Sequence, residues 1–338
     1  MASNPPRPSL ELRRLVNGYQ VTQAIHVAAV LGIADLLASG PRTSDDLAEA
    51  TGTHPDALYR LLRALASVGV FHEAGERRFT STPLGDCLRS DAPESVHGWA
   101  AFVGESNRWM AWTGLEHNVR TGENAFRHVH GTDSWSFRAE HPELGTLFDR
   151  AMTSMSHQVS AAILATFDFG RFEIMVDVGG GNGAFLAAIL AGRPTMRGVL
   201  FDQPHVVTGA GSLLAAAGVA DRCEVVAGSF FESVPAGGDA YLLKAIIHDW
   251  EDEPATAILR TCRRAMRDGT ALLVVERDLG PANEAPDSKF SDLNMMVGPE
   301  GRERSVAEYT ALFEAAGFRF VGFTPSVGGF GVYEGIAV

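Results

Sequence analysis

Cysteine is scarce in this chain of 338 residues, which has three cysteines and no CxxC pair. A disulfide framework or a zinc cluster needs several closely spaced cysteines, so the sequence predicts neither of them. We expect buried thiols in a reducing compartment. The three positions are Cys87, Cys223 and Cys262.

Long apolar runs are also missing. No stretch of about 18 uncharged apolar residues occurs, and a membrane-spanning helix needs one of that length. The opening residues MASNPPRPSLELRRL lack the apolar run of a signal peptide. We therefore expect a cytoplasmic protein without a membrane partner.

Basic residues are outnumbered, with 28 Lys and Arg against 41 Asp and Glu and a net charge of −13. Such a chain repels phosphate backbones, so a nucleic-acid partner is not expected. The chain does have 46% hydrophobic residues, which suits a globular protein with a large core. Its length predicts about two domains.

The N-terminal region has a helix-turn-helix pattern. Residues 1–16 contain three prolines and predict a flexible arm, and residues 19–38 predict an apolar helix. Thr43 and Asp46 fit a capping box at the start of the next helix. An apolar stripe at i, i+3, i+4 and i+7 marks the helix that follows. The stripe consists of Leu58, Leu61, Leu62 and Leu65.

The segment FHEAGERRFT then predicts a two-stranded wing, so residues 1–95 resemble a winged helix. A winged helix can bind DNA, and four arginines are candidates for phosphate contacts. On so acidic a chain they form a thin patch, which favours a packing or dimerisation role. The four are Arg60, Arg63, Arg77 and Arg78.

From residue 173 onward, short apolar runs alternate with helical stretches. Apolar strands separated by helix-length spacers are typical of a parallel sheet that is covered on both faces. FRFVGFTPS and FGVYEGIAV at the end predict an antiparallel closing hairpin. We therefore predict an α/β domain over 171–338, joined to the first domain by a helical connector over 96–170. The runs are EIMVDV, GVLF, CEVVAG, AYLLKA and ALLVVE.

The first of these strands ends in VDVGGGNGAF, a GxGxG loop that starts a helix. Glycines at such a point let the backbone approach a ligand at the helix N-terminus. Asp202 ends the next strand, 25 residues after Asp177, where a carboxylate can accept both hydrogens of a ribose diol. The pattern predicts an adenosine cofactor, and both NAD and S-adenosylmethionine remain open.

The stretch KAIIHDWEDE raises a separate question, because an apolar strand ends directly before His248. The carboxyl edge of a parallel sheet is where such folds bind ligands. A histidine has an ordinary pKa near ~6.5, so at this edge it can take a proton from a bound substrate. The acids around position 251 precede a helix, where they favour the positive end of its dipole. We therefore predict a general base and no metal.

Several motifs together resemble the plant-type small-molecule O-methyltransferases, which are related to caffeic-acid and hydroxyindole methyltransferases and have many actinomycete members. The resemblance covers nearly the whole chain. It implies a class I methyltransferase fold with a Rossmann-like domain, a homodimer built through the N-terminal domain, and S-adenosylmethionine as the cofactor. The motifs are VDVGGGNG, FDQPHV, GSFF, LLKAIIHDWEDE, GRER and AEYTALFEAAGF.

The resemblance also implies roles for single residues. Where the family often has an aspartate, Ser229 is a weaker acceptor for the adenine amino group. His248 is the implied base, and Glu276 and Glu303 orient it, with Asp249 as a further candidate. The implied cofactor contacts are Gly179, Gly180, Gly181, Gly183, Asp202, Gln203, Ser229, Phe230, Lys244 and Trp250. The implied substrate contacts are Met152, Met155, Asp292, Asn294 and Met295.

The sequence therefore predicts O-methylation of a phenolic hydroxyl on a small aromatic natural-product or polyketide-derived substrate. It leaves open whether a nitrogen or carbon atom is the acceptor instead. Two other readings also stay open from the residues alone. One is a nicotinamide-dependent oxidoreductase, and the other is a non-catalytic, methyltransferase-like DNA-binding regulator.

Overall fold

A computed structural model describes residues 7–338, apart from the side chains of residues 157 and 158. The chain divides into two compact units. The first contains the described residues up to Met110 together with Ser136–Ser156, and the second contains Ala111–Trp135 and His157–Val338. Residues 96–170, predicted as a connector, are thus distributed over both units.

The elements up to residue 166 are mainly helical. Three short strands, β1 (Arg42–Thr43), β2 (Phe71–Glu73) and β3 (Arg78–Ser81), form an antiparallel sheet in the order β1-β3-β2. The helices are α1 (Pro8–Val16), α2 (Gly18–Val30), α3 (Ile33–Leu37), α4 (Ser44–Thr51), α5 (Pro55–Ser67), α6 (Pro83–Asp86), α7 (His97–Val103), α8 (Ser106–Thr113), α9 (Leu115–Thr121), α10 (Ala125–His130), α11 (Ser134–Glu140) and α12 (Pro142–Thr166).

The flexible arm predicted for residues 1–16 is wrong over its second half, because α1 is a helix. Pro8 lies in its first turn, where a proline is tolerated because the missing N–H has no helical partner. An ion pair between Glu11 and Arg14 at 2.8 Å supports the helix. Residues 1–6 lie outside the described part of the chain.

The structure confirms the predicted capping box in the N-terminal region and corrects the predicted helix before it. The capping box of Thr43 and Asp46 is present at the start of α4. The single apolar helix predicted over 19–38 is instead divided into α2 and α3, because Gly32 adopts a left-handed conformation at φ 65°. Of the predicted leucine stripe on α5, all members but Leu61 are fully buried.

The arginines of the wing make internal contacts. The guanidinium of Arg77 lies 4.2 Å from the ring centroid of Tyr59 and donates to Ser44 Oγ at 3.1 Å. Arg78 donates to the carbonyl of Pro41 at 3.3 Å. These contacts favour the packing role over DNA binding for this region.

The rest of the chain alternates strands and helices. The strands are β4 (Ile174–Val178), β5 (Arg197–Asp202), β6 (Cys223–Ala227), β7 (Ala240–Lys244), β8 (Ala271–Arg277), β9 (Phe318–Pro325) and β10 (Phe330–Ala337). The helices are α13 (Ala184–Ala191), α14 (Pro204–Val207), α15 (Ala210–Ala216), α16 (Asp252–Ala265), α17 (Pro286–Val297) and α18 (Val306–Ala315), with a 3₁₀ turn at Ile247–Asp249.

The seven strands form one sheet in the order β6-β5-β4-β7-β8-β10-β9. Strands β4 to β8 are parallel to one another, whereas β10 pairs antiparallel with both β8 and β9 and forms with β9 the hairpin at the edge. This confirms the predicted α/β fold with its closing hairpin. The strand order reverses between β4 and β7, and a ligand crevice is expected at the carboxyl ends of two such strands.

Both faces of the central strands are buried, which explains why these strands are almost continuously apolar. Within β7, Tyr241 and Leu243 pack in a cluster that includes residues of α16 and α18. Their neighbours Ala240 and Leu242 pack in a second cluster with residues of α13 and α15. Since successive side chains point to opposite faces, a strand covered on both faces must be apolar throughout.

All three cysteines are free, and Cys262 is buried whereas Cys87 and Cys223 are half-buried. Among the helices of residues 7–338, none combines the length and the apolar character that crossing a bilayer requires.

Candidate active site

The glycine loop follows β4 at the point where the strand order reverses. Gly179 has φ 73°, and a Cβ at this position would lie 2.5 Å from the Cδ1 atom of Ile246. A Cβ at Gly180 would lie 2.5 Å from Oδ2 of Asp177, whereas a Cβ at Gly181 would meet nothing within 4 Å. The loop is therefore pressed against the sheet on one side and open on the other. It is a cradle that a backbone-bound ligand fits.

Asp202 ends β5 beside this loop. Its Oδ2 atom accepts a hydrogen bond from the backbone N–H of Gly181 at 2.8 Å, and its Oδ1 atom accepts one from Gln203 at 2.7 Å. A carboxylate has about four lone-pair positions, so two remain for hydroxyl donors. The geometry suits a carboxylate that is held by the loop and presented to a diol.

Asp177 and Lys244 lie beneath the glycine loop, on the neighbouring strands β4 and β7. Burial raises the pKa of Asp177 to about 7, although the charge of Lys244 opposes this shift. Burial also lowers the pKa of Lys244, against the attraction of Asp177. The lysine ammonium is 5.6 Å from the ring centroid of Phe185. Burial thus disfavours the charged form of both groups, while their mutual attraction favours it.

Aromatic rings border the loop that follows β6. The ring centroid of Trp250 is 6.3 Å from that of Phe230 and 4.8 Å from that of Phe231, with nearly perpendicular planes. The hydroxyl oxygen of Ser229 accepts the backbone N–H of Phe231 at 3.3 Å. The structure thus brings together the residues predicted to edge the adenine.

We call residues 245–250 the His248 loop. It begins with Ala245, which adopts the left-handed conformation at φ 54°. This turn directs three consecutive amides at one oxygen, Oε1 of Glu276. The distances are 2.9 Å from Ile246, 2.8 Å from Ile247 and 3.3 Å from His248. Glu276 is the penultimate residue of β8, the strand next to β7, and is fully buried. Its carboxylate therefore fixes the backbone that carries the histidine.

The imidazole of His248 lies among three carboxylates. Its Nδ1 atom is 3.2 Å from Oε1 of Glu303 and 3.6 Å from Oε2 of Glu276. Its Nε2 atom is 3.7 Å from Oδ1 of Asp249. Burial alone lowers the pKa of His248, but Glu276, Glu303 and Asp249 outweigh it and raise the pKa to about 10. The ring is thus a strong base whose protonated form the cluster stabilises.

The two glutamates differ in their surroundings. Burial raises the pKa of Glu276 to about 7, although His248 opposes this shift. Burial also raises the pKa of Glu303, but His248 and Ser291 more than compensate, so that its pKa lies below the ordinary value. Ser291 on α17 donates to Oε1 of Glu303 at 2.7 Å, the same oxygen that faces Nδ1 of the histidine. Glu303 is therefore the carboxylate most firmly held in its ionised form.

These ring and carboxylate atoms lie within 4.8 Å of one another, a spacing that a metal ion also accepts. Within the described chain they form the one such group of three or more side chains. Metal binding requires an unprotonated imidazole, which a pKa of about 10 disfavours at neutral pH. The absence of a metal stays a prediction.

The predicted substrate contacts are divided between the two units. On α17, Asp292 accepts the backbone N–H of Glu303 at 2.9 Å and so belongs to the support of the cluster. Asn294 and Met295 are half-buried on the same helix. Met152 and Met155 lie on α12 in the first unit, where Met152 is exposed and Met155 half-buried.

Two residues of this region were not singled out from the sequence. Ser291 belongs to no motif, so only its hydrogen bond reveals it. Arg304 stands in the GRER motif, but its side chain is fully buried, whereas the motif drew attention to Glu303. The one signal in the sequence that could have identified Arg304 is its position next to Glu303, a predicted functional carboxylate.

Comparison with known proteins decides the family. A family model of the O-methyltransferase domain matches residues 112–319, and one of the O-methyltransferase dimerisation domain matches residues 13–91. The phenazine O-methyltransferase PhzM of Lysobacter antibioticus is 43% identical over 323 residues, which cover 96% of this chain and 94% of that protein. The chain belongs to the O-methyltransferase family.

The matches include a relative that methylates nitrogen and a solved structure that superposes closely. An 8-amino-8-demethylriboflavin N,N-dimethyltransferase of Streptomyces davaonensis is 40% identical over 311 residues, covering 91% of this chain and 89% of the relative. The crystal structure of LaPhzM superposes with a TM-score of 0.93 at 42% identity, covering 98% of this chain and 100% of that chain.

The structure of NcsB1 from neocarzinostatin biosynthesis, in complex with S-adenosylmethionine and a hydroxy-methyl naphthoic acid, has a TM-score of 0.79 at 34% identity, covering 94% of this chain and 96% of that one. The present chain is therefore an S-adenosylmethionine-dependent O-methyltransferase of natural-product biosynthesis. The alternative of a nicotinamide-dependent oxidoreductase is rejected. The glycine cradle and Asp202 fit S-adenosylmethionine.

Proposed function

We propose that this O-methyltransferase methylates a phenolic hydroxyl of a small aromatic intermediate, with His248 as the general base. The observation that carries the proposal is the His248 ring, which three carboxylates surround at the carboxyl edge of the sheet. Strand β7, which delivers this ring, is the neighbour of β4, which delivers the glycine loop. The base and the cofactor cradle therefore open on the same crevice.

S-adenosylmethionine supplies an electrophilic methyl group on a sulfonium centre. In our proposal Gly179, Gly180, Gly181 and Gly183 approach the cofactor through their backbone, and Asp202 and Gln203 hold its ribose. Ser229, Phe230 and Trp250 border the adenine, and Lys244 lies near the ribose or the carboxylate end. Because Ser229 is a weaker acceptor than aspartate, packing on the aromatic rings contributes more to adenine recognition.

The proton of the acceptor hydroxyl passes to Nε2 of His248. Glu303 and Glu276 face Nδ1 and so favour the tautomer and the ring orientation that leave Nε2 for the substrate. A phenol titrates near ~10, and the carboxylates raise the pKa of His248 to about 10. Since a difference in pKa measures the free energy of proton transfer, transfer between two groups of matched pKa is nearly thermoneutral.

A pKa of about 10 also means that the free enzyme carries a proton on His248 at neutral pH. Binding of a neutral phenol then releases one proton to solvent, and binding of a phenolate places it beside an imidazolium. Both routes give the same complex with one shared proton. In this complex the phenolate lies next to an imidazolium whose charge the three carboxylates stabilise.

The substrate is proposed to be flat and aromatic. Asn294 and Met295 on α17 are its proposed contacts in the second unit, and thioethers suit the faces of aromatic rings. Met152 and Met155 are also proposed as substrate contacts. Relatives are named for phenazine and for 3-amino-4-hydroxybenzoate, and NcsB1 was crystallised with a naphthoic acid, which supports this class.

We also infer a homodimer. The dimerisation-domain match lies within residues 1–95, which we propose as the dimerisation domain, with 171–338 as the cofactor domain and 96–170 as the connector. Helices α1 and α2 expose large apolar side chains that a partner subunit would cover. They include Leu10, Leu12, Leu15, Val16, Tyr19, Val21, Val27 and Val30.

A methyl-transfer screen tests the proposal. The full chain is incubated with radiolabelled S-adenosylmethionine and a panel of hydroxybenzoic, hydroxynaphthoic and hydroxyphenazine acids, together with their amino analogues. The proposal expects label on an oxygen, located by NMR of the product. Labelling of the amino analogues alone would overturn the phenolic acceptor. Titration calorimetry with S-adenosylhomocysteine and NAD measures the cofactor preference independently of turnover.

A further inference from the structure

Arg304 is a fully buried arginine whose guanidinium contacts the His248 loop on both sides of the histidine. Its Nη1 atom donates to the carbonyl of Ile247 at 3.1 Å, and its Nη2 atom donates to the carbonyl of Trp250 at 2.7 Å. These carbonyls lie immediately before His248 and two residues after it. One side chain therefore fixes the backbone on both sides of the proposed base.

The same guanidinium is held in place by an acid. Nε and Nη2 of Arg304 both donate to Oδ1 of Asp252, at 3.0 and 2.9 Å. Asp252 is the first residue of α16, so the contact anchors the arginine to a helix that packs on the sheet. A planar group with several fixed donors suits this arrangement, whereas a lysine ammonium cannot reach all these acceptors at once.

The backbone of the GRER segment (residues 301–304) supports the loop as well. The N–H of Arg302 donates to the carbonyl of His248 at 2.8 Å. A Cβ at Gly301 would overlap that same carbonyl oxygen, so the close approach of the two chains requires a glycine there. Glu303 of the same segment faces Nδ1 of the ring at 3.2 Å. The segment therefore contacts the backbone and the ring of His248 together.

We propose that Arg304 is a positioning residue for His248, and that with Gly301 it sets the orientation of the imidazole toward its carboxylates and toward the acceptor. This inference rests on the proposed function for its effect on the rate. A misplacement of about 1 Å at a reacting group costs on the order of 10²-fold in rate. Arg304 itself touches neither the substrate nor the reacting atoms.

The test compares Arg304→Lys and Gly301→Ala with a matched control, Arg222→Lys. Arg222 also donates to three carbonyls, those of Leu190, Arg193 and Met196, but it lies beyond α13 and away from the His248 loop. All three variants are expected to lose some thermal stability. Only the first two are expected to lose kcat, by about 10²-fold, with little change in the dissociation constant of S-adenosylhomocysteine.

A second readout follows the histidine directly. The titration of His248 is recorded by NMR in protein labelled with ¹³C-histidine, and the signal is assigned by its loss in His248→Gln. Three carboxylates face this ring, namely Glu276, Glu303 and Asp249. We expect the pKa of His248 to fall in Arg304→Lys and Gly301→Ala and to stay unchanged in Arg222→Lys.

The outcomes separate this inference from the proposed function. If Arg304→Lys and Gly301→Ala keep both kcat and the titration of His248 while only losing stability, Arg304 is merely structural and the inference is wrong. If His248→Gln methylates as fast as the parent, the general-base role fails. The shifted titration in the Arg304 and Gly301 variants would then still show that they position the ring.

Discussion

The Nδ1 atom of His248 lies 3.2 Å from Oε1 of Glu303, a residue 55 positions later in the chain. Ser291 donates to the same oxygen from α17. One carboxylate oxygen thus connects the proposed base with the helix that carries two proposed substrate contacts, Asn294 and Met295. A substitution at this contact should therefore change the pKa of His248 more than it changes the stability of the fold.

Glu303→Gln should lower the pH at which the enzyme becomes active. Glu303 raises the pKa of His248 by its charge and by a hydrogen bond, so its loss lowers that pKa below about 10. Because kcat/KM rises with pH as the free base loses its proton, the rising limb should move to lower pH. The measurement is the pH profile of kcat/KM with one phenolic substrate.

The falling limb of that profile serves as the internal control. It follows the ionisation of the substrate hydroxyl, which the substitution does not touch. An unchanged rising limb in Glu303→Gln would mean that this carboxylate does not govern the protonation of His248.

His248→Gln should separate chemistry from binding. Glutamine keeps most of the side-chain volume and still reaches Glu303, but it cannot accept a proton near neutral pH. General-base help is worth roughly 10²–10⁴-fold, so kcat should fall by about that factor. Calorimetry should find S-adenosylhomocysteine binding near the parent level. Parent-like turnover would show that the bound geometry alone suffices for transfer.

Glu276→Ala should destabilise the fold itself. Three backbone N–H groups converge on Oε1 of Glu276, and they would be left without this acceptor in a buried site. Each unsatisfied buried donor costs about 1–3 kcal/mol. Urea unfolding should therefore report a loss of at least that size. Glu303→Ala, which leaves these three amides paired, is the comparison, and an equal or larger loss there would contradict the assigned role of Glu276.

Much of the second domain could be predicted because its physics is local. Strands buried on both faces must be apolar, and helix-length spacers must separate parallel strands, so the sheet could be derived from the sequence pattern. His248 follows such a strand and was identifiable from the pattern, whereas Glu276 was assigned through the family resemblance. Their side chains do meet, although their catalytic roles stay predictions.

The remaining features depend on contacts between distant segments. The left-handed Ala245, which turns three amides toward Glu276, has no glycine or asparagine to announce it. Arg304 is an arginine that would ordinarily be assigned to the surface. The helix at Pro8–Val16 was mistaken for an arm because prolines usually interrupt helices, whereas a proline in the first turn does not.

Gly179→Ala should weaken cofactor binding by more than the backbone strain of an alanine at this φ explains. At φ 73° any Cβ is strained, and this one would also lie 2.5 Å from the Cδ1 atom of Ile246 in the His248 loop. The Ile246 side chain, the glycine loop or the His248 loop must then move. We expect weaker binding of S-adenosylhomocysteine together with a lower kcat. Gly218→Ala is the matched control, since Gly218 has φ 68° and a Cβ there meets nothing within 4 Å. The control should lose a little stability and keep its affinity. Equal affinity losses in the two variants would show that the contact with Ile246 is irrelevant to the cradle.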